Sequence, residues 1–420
     1  MSTAQSLDQV ELIDAVHYAE HGYPHEAFRL LRREAPVYYF DRLSLRPFWA
    51  ITRHSDIVEI SRRPDLYLNA PRLVVGADAL TGESGALPVR MLLNIDPPDH
   101  SAYRALVNKR FTPRALRDIA RRIDAIASRA LDDMLACGEE SEVDFVREFS
   151  AKIPIWVIAE MLGVPEQDWE LLFDWTNRVL GAADPEYREE GKSPQETLQT
   201  ARLALFSYFQ DLTEERRSRP KDDLVSVLTH SQIRGEALPV FELMSYYFLI
   251  VVAGNETTRN AASGGLLALI ENPDQLELAR RRPDLNRSLV EEVLRWTSPV
   301  IHFCRTPVRD VTIHGQTIRA GETLTLFYPS ANRDESVFDD ADRFKIDRQP
   351  NRHIAFGIGE HVCLGAHVAR FELQVIFRHL LARLVDVELA GPVERLRSSI
   401  VGGIKHMPIR YRLLPSADAA

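Results

Sequence analysis

The chain has 420 residues, 45% hydrophobic and 27% charged, enough apolar material for a large buried core. Lysine and arginine number 51 against 61 acidic residues, and the resulting net charge of −10 excludes the basic surface of a general nucleic-acid binder. The N-terminus lacks the layout of a signal peptide, and the most apolar stretch, Tyr246 to Ala253, is too short for a membrane span of about 20 residues.

In chain order, β-like runs come first, Val37 to Phe40 and Phe48 to Thr52. Leu93 to Arg104 then opens a helix: Asp96 can cap it, Pro97 and Pro98 suit a first turn, and His100 and Arg104 lie one turn apart on one side. Two cationic donors facing one way suit a carboxylate, although a solvated basic face has the same pattern. Lys109, Arg110, Arg114, Arg117, Arg121 and Arg122 follow as a basic patch on an acidic protein. Such a patch either docks an acidic partner or is simply solvated.

Three-to-four spacing of apolar residues predicts helices over Pro113–Leu135, Glu166–Leu180, Gln195–Arg217, Leu238–Ile270 and Asp284–Trp296. Between the second and third, Gly181 to Pro194 is polar and reads as a surface loop, either a lid or a connector. Val311 to Leu326 alternates around His314-Gly315 and predicts a hairpin. The class is therefore mainly α, of the α+β kind, in one domain over 1–420 with a minor β-rich part near 36–70 and 300–330.

Cys137, Cys304 and Cys363 are odd in number and far apart, which suits a reducing cytoplasm rather than a disulfide framework. Cys363 stands out. It sits in Phe356-Gly-Ile-Gly-Glu-His361-Val-Cys363-Leu-Gly365, immediately before a run of helical periodicity. Glycines allow close backbone approach, and a helix start favours a thiolate. The alternatives are an inert buried thiol, or half of a zinc site with His361 that lacks a second ligand pair.

Gly254-Asn-Glu256-Thr257-Thr258-Arg259 interrupts the apolar helix over Leu238–Ile270. A buried carboxylate there needs a use or a partner, and an exposed Glu256/Arg259 pair is the plain alternative. Glu292 and Arg295 share one helical face, a common spacing, but they precede Trp296-Thr-Ser-Pro-Val300-Ile301-His-Phe-Cys-Arg305 and then Val337 to Phe344.

Taken together, these motifs and their order resemble the cytochrome P-450 superfamily, soluble bacterial type. The resemblance spans His100 to Arg370. It implies a fold in which haem lies between a long central helix and the cysteine loop. Cys363 would be the axial ligand of haem b iron, with Phe356, Gly357, Gly359 and Gly365 close beneath and Ala253 above. His100, Arg104, Arg305 and His361 would hold the propionates. Glu256 and Thr257 would relay protons beside bound dioxygen, the co-substrate. Glu292 and Arg295 would clamp with Arg343, in a segment with Ala341 where a proline is common.

Family substrate contacts would fall in Pro71 to Arg90 and Trp175 to Gly191, and at Ala253, Gly254, Val300, Ile301, Ile400 and Val401. The implied reaction is monooxygenation of an apolar molecule, a steroid or terpenoid, with a fatty acid or secondary-metabolite scaffold as the alternative. With no attached flavin or iron–sulfur domain visible, electrons from NAD(P)H would arrive through a ferredoxin reductase and a ferredoxin. A cytoplasmic monomer is expected. A non-catalytic haem sensor or electron carrier is the rival of another class, and it has no need of Glu256 and Thr257.

Overall fold

The structure is a computed structural model that describes residues 6–42, 45–76 and 90–415. Its axis is one central helix, Val240–Glu271, of 32 residues and apolar on nearly every side. A helix apolar all round belongs inside a protein. It packs against the helices Lys152–Leu162, Trp169–Leu180, Pro194–Ser218, Asn286–Thr297 and Ala366–Arg383.

The expected interruption at 254–258 does not break this helix, which runs through it without a gap. Gly254 has a packing reason instead: a Cβ there would lie 2.4 Å from Ile158 Cδ1. The other predicted helices appear within three residues of their expected bounds, as Pro113–Ala136, Trp169–Leu180, Pro194–Ser218 and Asn286–Thr297.

Asp96 does not cap the His100 helix, Asp99–Asn108, whose N-terminal cap position is Pro98. Its carboxylate accepts the Asn69 and Ala70 N–H groups at 2.8 and 3.0 Å, fastening an earlier segment beside the helix start. Tyr103 bonds Glu242, and Tyr246 donates to the Tyr103 carbonyl at 2.6 Å, so the His100 helix is tied to the start of the central one.

Val37–Phe40 pairs antiparallel with Phe48–Ile51, which runs parallel to Leu324–Phe327. His302–Pro307 and Tyr67–Leu68 complete this five-stranded sheet. His314-Gly315 does turn a hairpin, Val311–Ile313 against Gln316–Ile318, with both turn residues at positive φ. A separate sheet of Leu384–Leu389, Pro408–Leu413 and Glu140–Asp144 was not legible, because Glu140 to Asp144 carries no alternating apolar pattern.

Gly181 to Pro194 is a surface loop as expected, but it is pinned at Asp184. Asp184 is 1% exposed, accepting the Arg397 N–H at 3.0 Å and a Lys405 hydrogen bond at 3.3 Å. Glu186 meets His406 at 2.8 Å, and His406 reaches Asp144 with its other nitrogen. Burial works against the charge of His406, but these two carboxylates outweigh it and raise its pKa.

Among the described residues, no helix is long and apolar enough to cross a membrane.

Candidate active site

One cavity joins the motifs. Cys363, Gly357, His361 and Gly365 line it from the cysteine loop, Ala253, Gly254, Thr257 and Thr258 from the central helix, and His100, Arg104 and Arg305 from its edge. The remaining wall is chiefly apolar, including Leu73, Leu92, Phe111, Leu249, Ile250 and Val300.

The cysteine loop is fixed by its backbone. Cys363 N–H donates to the Phe356 carbonyl at 2.9 Å, and Gly357 N–H to Ile354 at 2.9 Å. Gly357 and Gly359 adopt φ of +68° and +81°, where a side chain is strained. Gly359 has a second constraint: a Cβ would sit 2.3 Å from the Ser61 carbonyl oxygen. That glycine serves contact with a neighbouring helix end, not close approach to a cofactor.

Cys363 precedes the helix Ala366–Arg383, and its exposed surface faces the cavity. Burial raises the thiol pKa, opposed by the Gly365 N–H, Arg104 and Arg370. The helix start therefore does not by itself produce a thiolate; a bound cation would have to stabilise it further.

The cavity edge collects polar side chains with hydrogen-bonding capacity left open among the described residues. The His100 and His361 rings are tilted at 41° with centroids 4.1 Å apart, and both Nε2 atoms are buried with no hydrogen bond among the described residues. His100 Nδ1 meets Glu360 at 3.1 Å. Burial lowers the His100 pKa and takes His361 down to about 3, with His100, Arg305 and Arg104 adding to the latter. Arg305 donates to the Cys304 carbonyl at 2.7 Å and also lines the cavity. Such groups fit an acidic ligand, since buried donors are expensive to leave unmade. Thiol, glycine loop, apolar walls and polar edge all fit haem.

Beneath the loop lies a buried clamp. Arg295 bonds Glu292 twice at 2.8 Å and donates to the Asn332, Ala341 and Arg343 carbonyls. The Arg343 segment joins the clamp as expected, but through its carbonyls; the Arg343 side chain is exposed and leaves the place of a third charge open. Arg348 fills it, with its guanidinium 3.1 Å from Glu292 and further bonds to the Asp339, Asp340 and Arg343 carbonyls. Asn332 then accepts the Ile354 N–H at 2.8 Å, carrying the clamp into the cysteine loop.

Sequence reading missed Glu291. It bonds Arg370 at 2.7 Å, after the loop, and His353 at 2.9 Å, before it. Arg370 also lies 4.5 Å from the Phe356 ring centroid. Glu372 was missed too. It lines the same cavity, and burial raises its pKa well above the carboxylate range.

Glu256 is not on the cavity wall. It pairs with Arg259 as the plain alternative supposed, but in the interior, where both are 1% exposed. Thr257 does face the cavity, its hydroxyl donating to the Ala253 carbonyl at 2.9 Å. Of the expected substrate contacts, Ala253, Gly254 and Val300 line the cavity, and Ile301, Ile400 and Val401 do not. Ile301 alternates away from Val300 into a different core with Phe28, Phe40 and Phe327. The Ile400 carbonyl accepts the Ile301 N–H at 2.9 Å, and Val401 bridges Val300, so both hold the wall through its backbone. Residues 77–89 of the expected Pro71 to Arg90 contact segment lie outside the described residues.

The family profile Cytochrome P450 matches residues 284–394. Linalool 8-monooxygenase of Pseudomonas putida is 38% identical over 92% of this chain and 95% of its own. Steroid C26-monooxygenase of Mycolicibacterium smegmatis is 35% identical over 98% and 96%. A Mycobacterium marinum cytochrome P450 solved in complex with pseudoionone superposes with a TM-score of 0.88 at 34% identity, over 97% of this chain and 100% of that one. The site and these relatives agree, and the chain belongs to the cytochrome P450 family, as one of its monooxygenases.

Proposed function

We propose that the protein hydroxylates a terpenoid or steroid at an unactivated C–H bond, using dioxygen and electrons from a separate ferredoxin and its NAD(P)H-dependent reductase. The observation that carries the substrate class is the apolar wall of Leu73, Leu92, Phe111, Leu249, Ile250 and Val300 beside Ala253 and Thr257. Such a surface favours a hydrocarbon skeleton over a sugar or nucleotide. The linalool and steroid relatives support the same class.

Haem held at Cys363 would supply the reductive activation of dioxygen, with a thiolate ligand as the electron-donating partner. The chain's own residues do the rest. His100, Arg104, Arg305 and His361 orient the carboxylates of the group. The Glu292–Arg295–Arg348 clamp keeps the cysteine loop in register. Apolar walls position the substrate and exclude water. Thr257 and Glu256 manage proton supply.

The external face of the Pro113–Ala136 helix supports electron entry. Arg114, Arg117 and Arg121 are exposed there, whereas Arg110 is paired with Asp222 and Arg122 with Glu160. We place an acidic ferredoxin on exposed Arg114, Arg117 and Arg121, with an association rate that falls as salt rises.

Spectral titration of the haem-loaded protein tests the substrate assignment. Linalool or a steroid is expected to shift the Soret band from low to high spin, with fatty acids giving a weaker response. Saturation by fatty acids alone would move the protein into a different substrate class.

A further inference from the structure

Glu256 lines neither of two cavities, but its helix neighbour Thr257 and its ion-pair partner Arg259 line one each. Thr257 lines the one that contains Cys363. Arg259 lines a second, of about 510 Å³, between the central helix and the Lys152–Leu162 and Trp169–Leu180 helices. Its walls set Arg147, Glu148, Lys152, Glu186, Tyr187 and Lys405 alongside Val146, Ile155, Trp156 and Phe173, and the polar groups supply hydrogen-bond partners for water.

Within the pair, Glu256 Oε1 is held by Arg259 and by Asn260 Nδ2, the latter at 3.3 Å. Glu256 Oε2 and Arg259 Nε are buried with no partner among the described residues. Arg259 also donates to Asn177 Oδ1 at 2.8 Å, and Asn255 donates to Thr176 Oγ1 at 2.8 Å. Two consecutive residues of the Trp169–Leu180 helix thus hold the neighbours of Glu256. A buried ion pair costs desolvation and is weak evidence for stability, so its retention beside an unpaired oxygen calls for another account.

We propose that Arg259 is a positioning residue. Tethered by Asn177, it holds Glu256 so that Oε2 collects a proton from water of the second cavity and passes it toward Thr257. This rests on the reading of Glu256 and Thr257 as the proton-supplying pair. The balance is simple. A water gives a proton to Oε2, and bulk solvent neutralises the hydroxide left behind. The Glu256 O–H then gives the proton to the Thr257 side, and the restored carboxylate returns to Arg259. The Thr257 hydroxyl, already donating to Ala253, has oxygen lone pairs free to accept.

The test uses haem-loaded Arg259→Gln, Arg259→Lys, Asn177→Ala and Glu256→Gln in substrate-free turnover with a surrogate ferredoxin and reductase, reading peroxide formed against water formed. Arg259→Gln is expected to raise that ratio roughly tenfold, less than the roughly 10²–10⁴-fold of losing a general acid outright, because Glu256 itself remains. Arg259→Lys and Asn177→Ala are expected to move it less, in the same direction, and carry the test if Arg259→Gln does not fold. In the resting protein, the infrared carboxylate band assigned by subtracting Glu256→Gln should shift in Arg259→Gln. Lower thermal stability with an unchanged ratio and band would make Arg259 merely structural and overturn the proposal. An unchanged ratio in Glu256→Gln would instead remove the reading on which it rests.

Discussion

Arg348 lies 3.1 Å from the carboxylate of Glu292, and both side chains are buried beneath the cysteine loop. This places the third charge of the clamp five residues after Arg343, whose side chain is in solvent. Glu292 would still be paired with Arg295, so removing Arg348 costs its charge-assisted hydrogen bonds to Glu292 and to the Asp339, Asp340 and Arg343 carbonyls, about 1.5–3 kcal/mol. Arg348→Gln should therefore melt markedly lower and retain little haem. Arg343→Gln should stay within about 0.5 kcal/mol of wild type, since its exposed side chain takes no part in the clamp. Thermal melts with haem absorbance separate the two, and equal losses would contradict the assignment.

Glu291 gives the loop an acid limit. Burial opposes its charge, but His353 and Arg370 outweigh that and take its pKa from 4.5 to about 2. The unfolded chain therefore binds the proton first. The stabilisation is complete above about pH 4.5 and disappears as pH falls toward 2. Glu291→Gln should flatten the acid side of the stability curve measured by denaturant titration. An unaltered slope would mean that the carboxylate does not hold the loop.

His406 acts in the opposite direction. Its pKa is raised above 6.5 by Asp144 and Glu186, so its contribution is full below about pH 6.5 and is lost as pH rises through the folded value. Hydrogen exchange over 181–194, corrected for intrinsic rates, should quicken with pH in wild type and already be fast in His406→Gln. Identical profiles would show that the segment is held by Asp184 and Lys405 alone.

Gly359→Ala should be worse than Gly357→Ala. Both residues have positive φ, at about 1–2 kcal/mol for a side chain. Only the first also drives a Cβ into the Ser61 backbone, which has no rotamer with which to move aside. Haem retention during a thermal ramp would rank them, and equal retention would show that the contact relaxes freely.

The long helices were legible because their apolar spacing is regular, and the cysteine loop because its glycines and cysteine occur in an ordered string. What escaped was set by the partner rather than by local sequence. Glu140 to Asp144 became a strand only through Pro408–Leu413. Arg343 was favoured by its place in the motif, but the buried carboxylate is reached by Arg348, a turn further on. Glu291 looked like any helix acid until folding brought His353 and Arg370 to it. Ile301 was assigned to the cavity beside Val300, although alternation along an extended chain sends neighbours to opposite faces. Glu256 was read as either exposed and paired or buried and functional; it is buried and paired.

The central claim is a cysteine thiolate on haem iron. The dithionite-reduced protein with carbon monoxide, as wild type and Cys363→Ala, tests it most directly. Wild type should give the strongly red-shifted Soret band of thiolate ligation, and Cys363→Ala should lose it. A wild-type band at the position of histidine-ligated haem, or no haem uptake by the folded protein, would contradict this assignment.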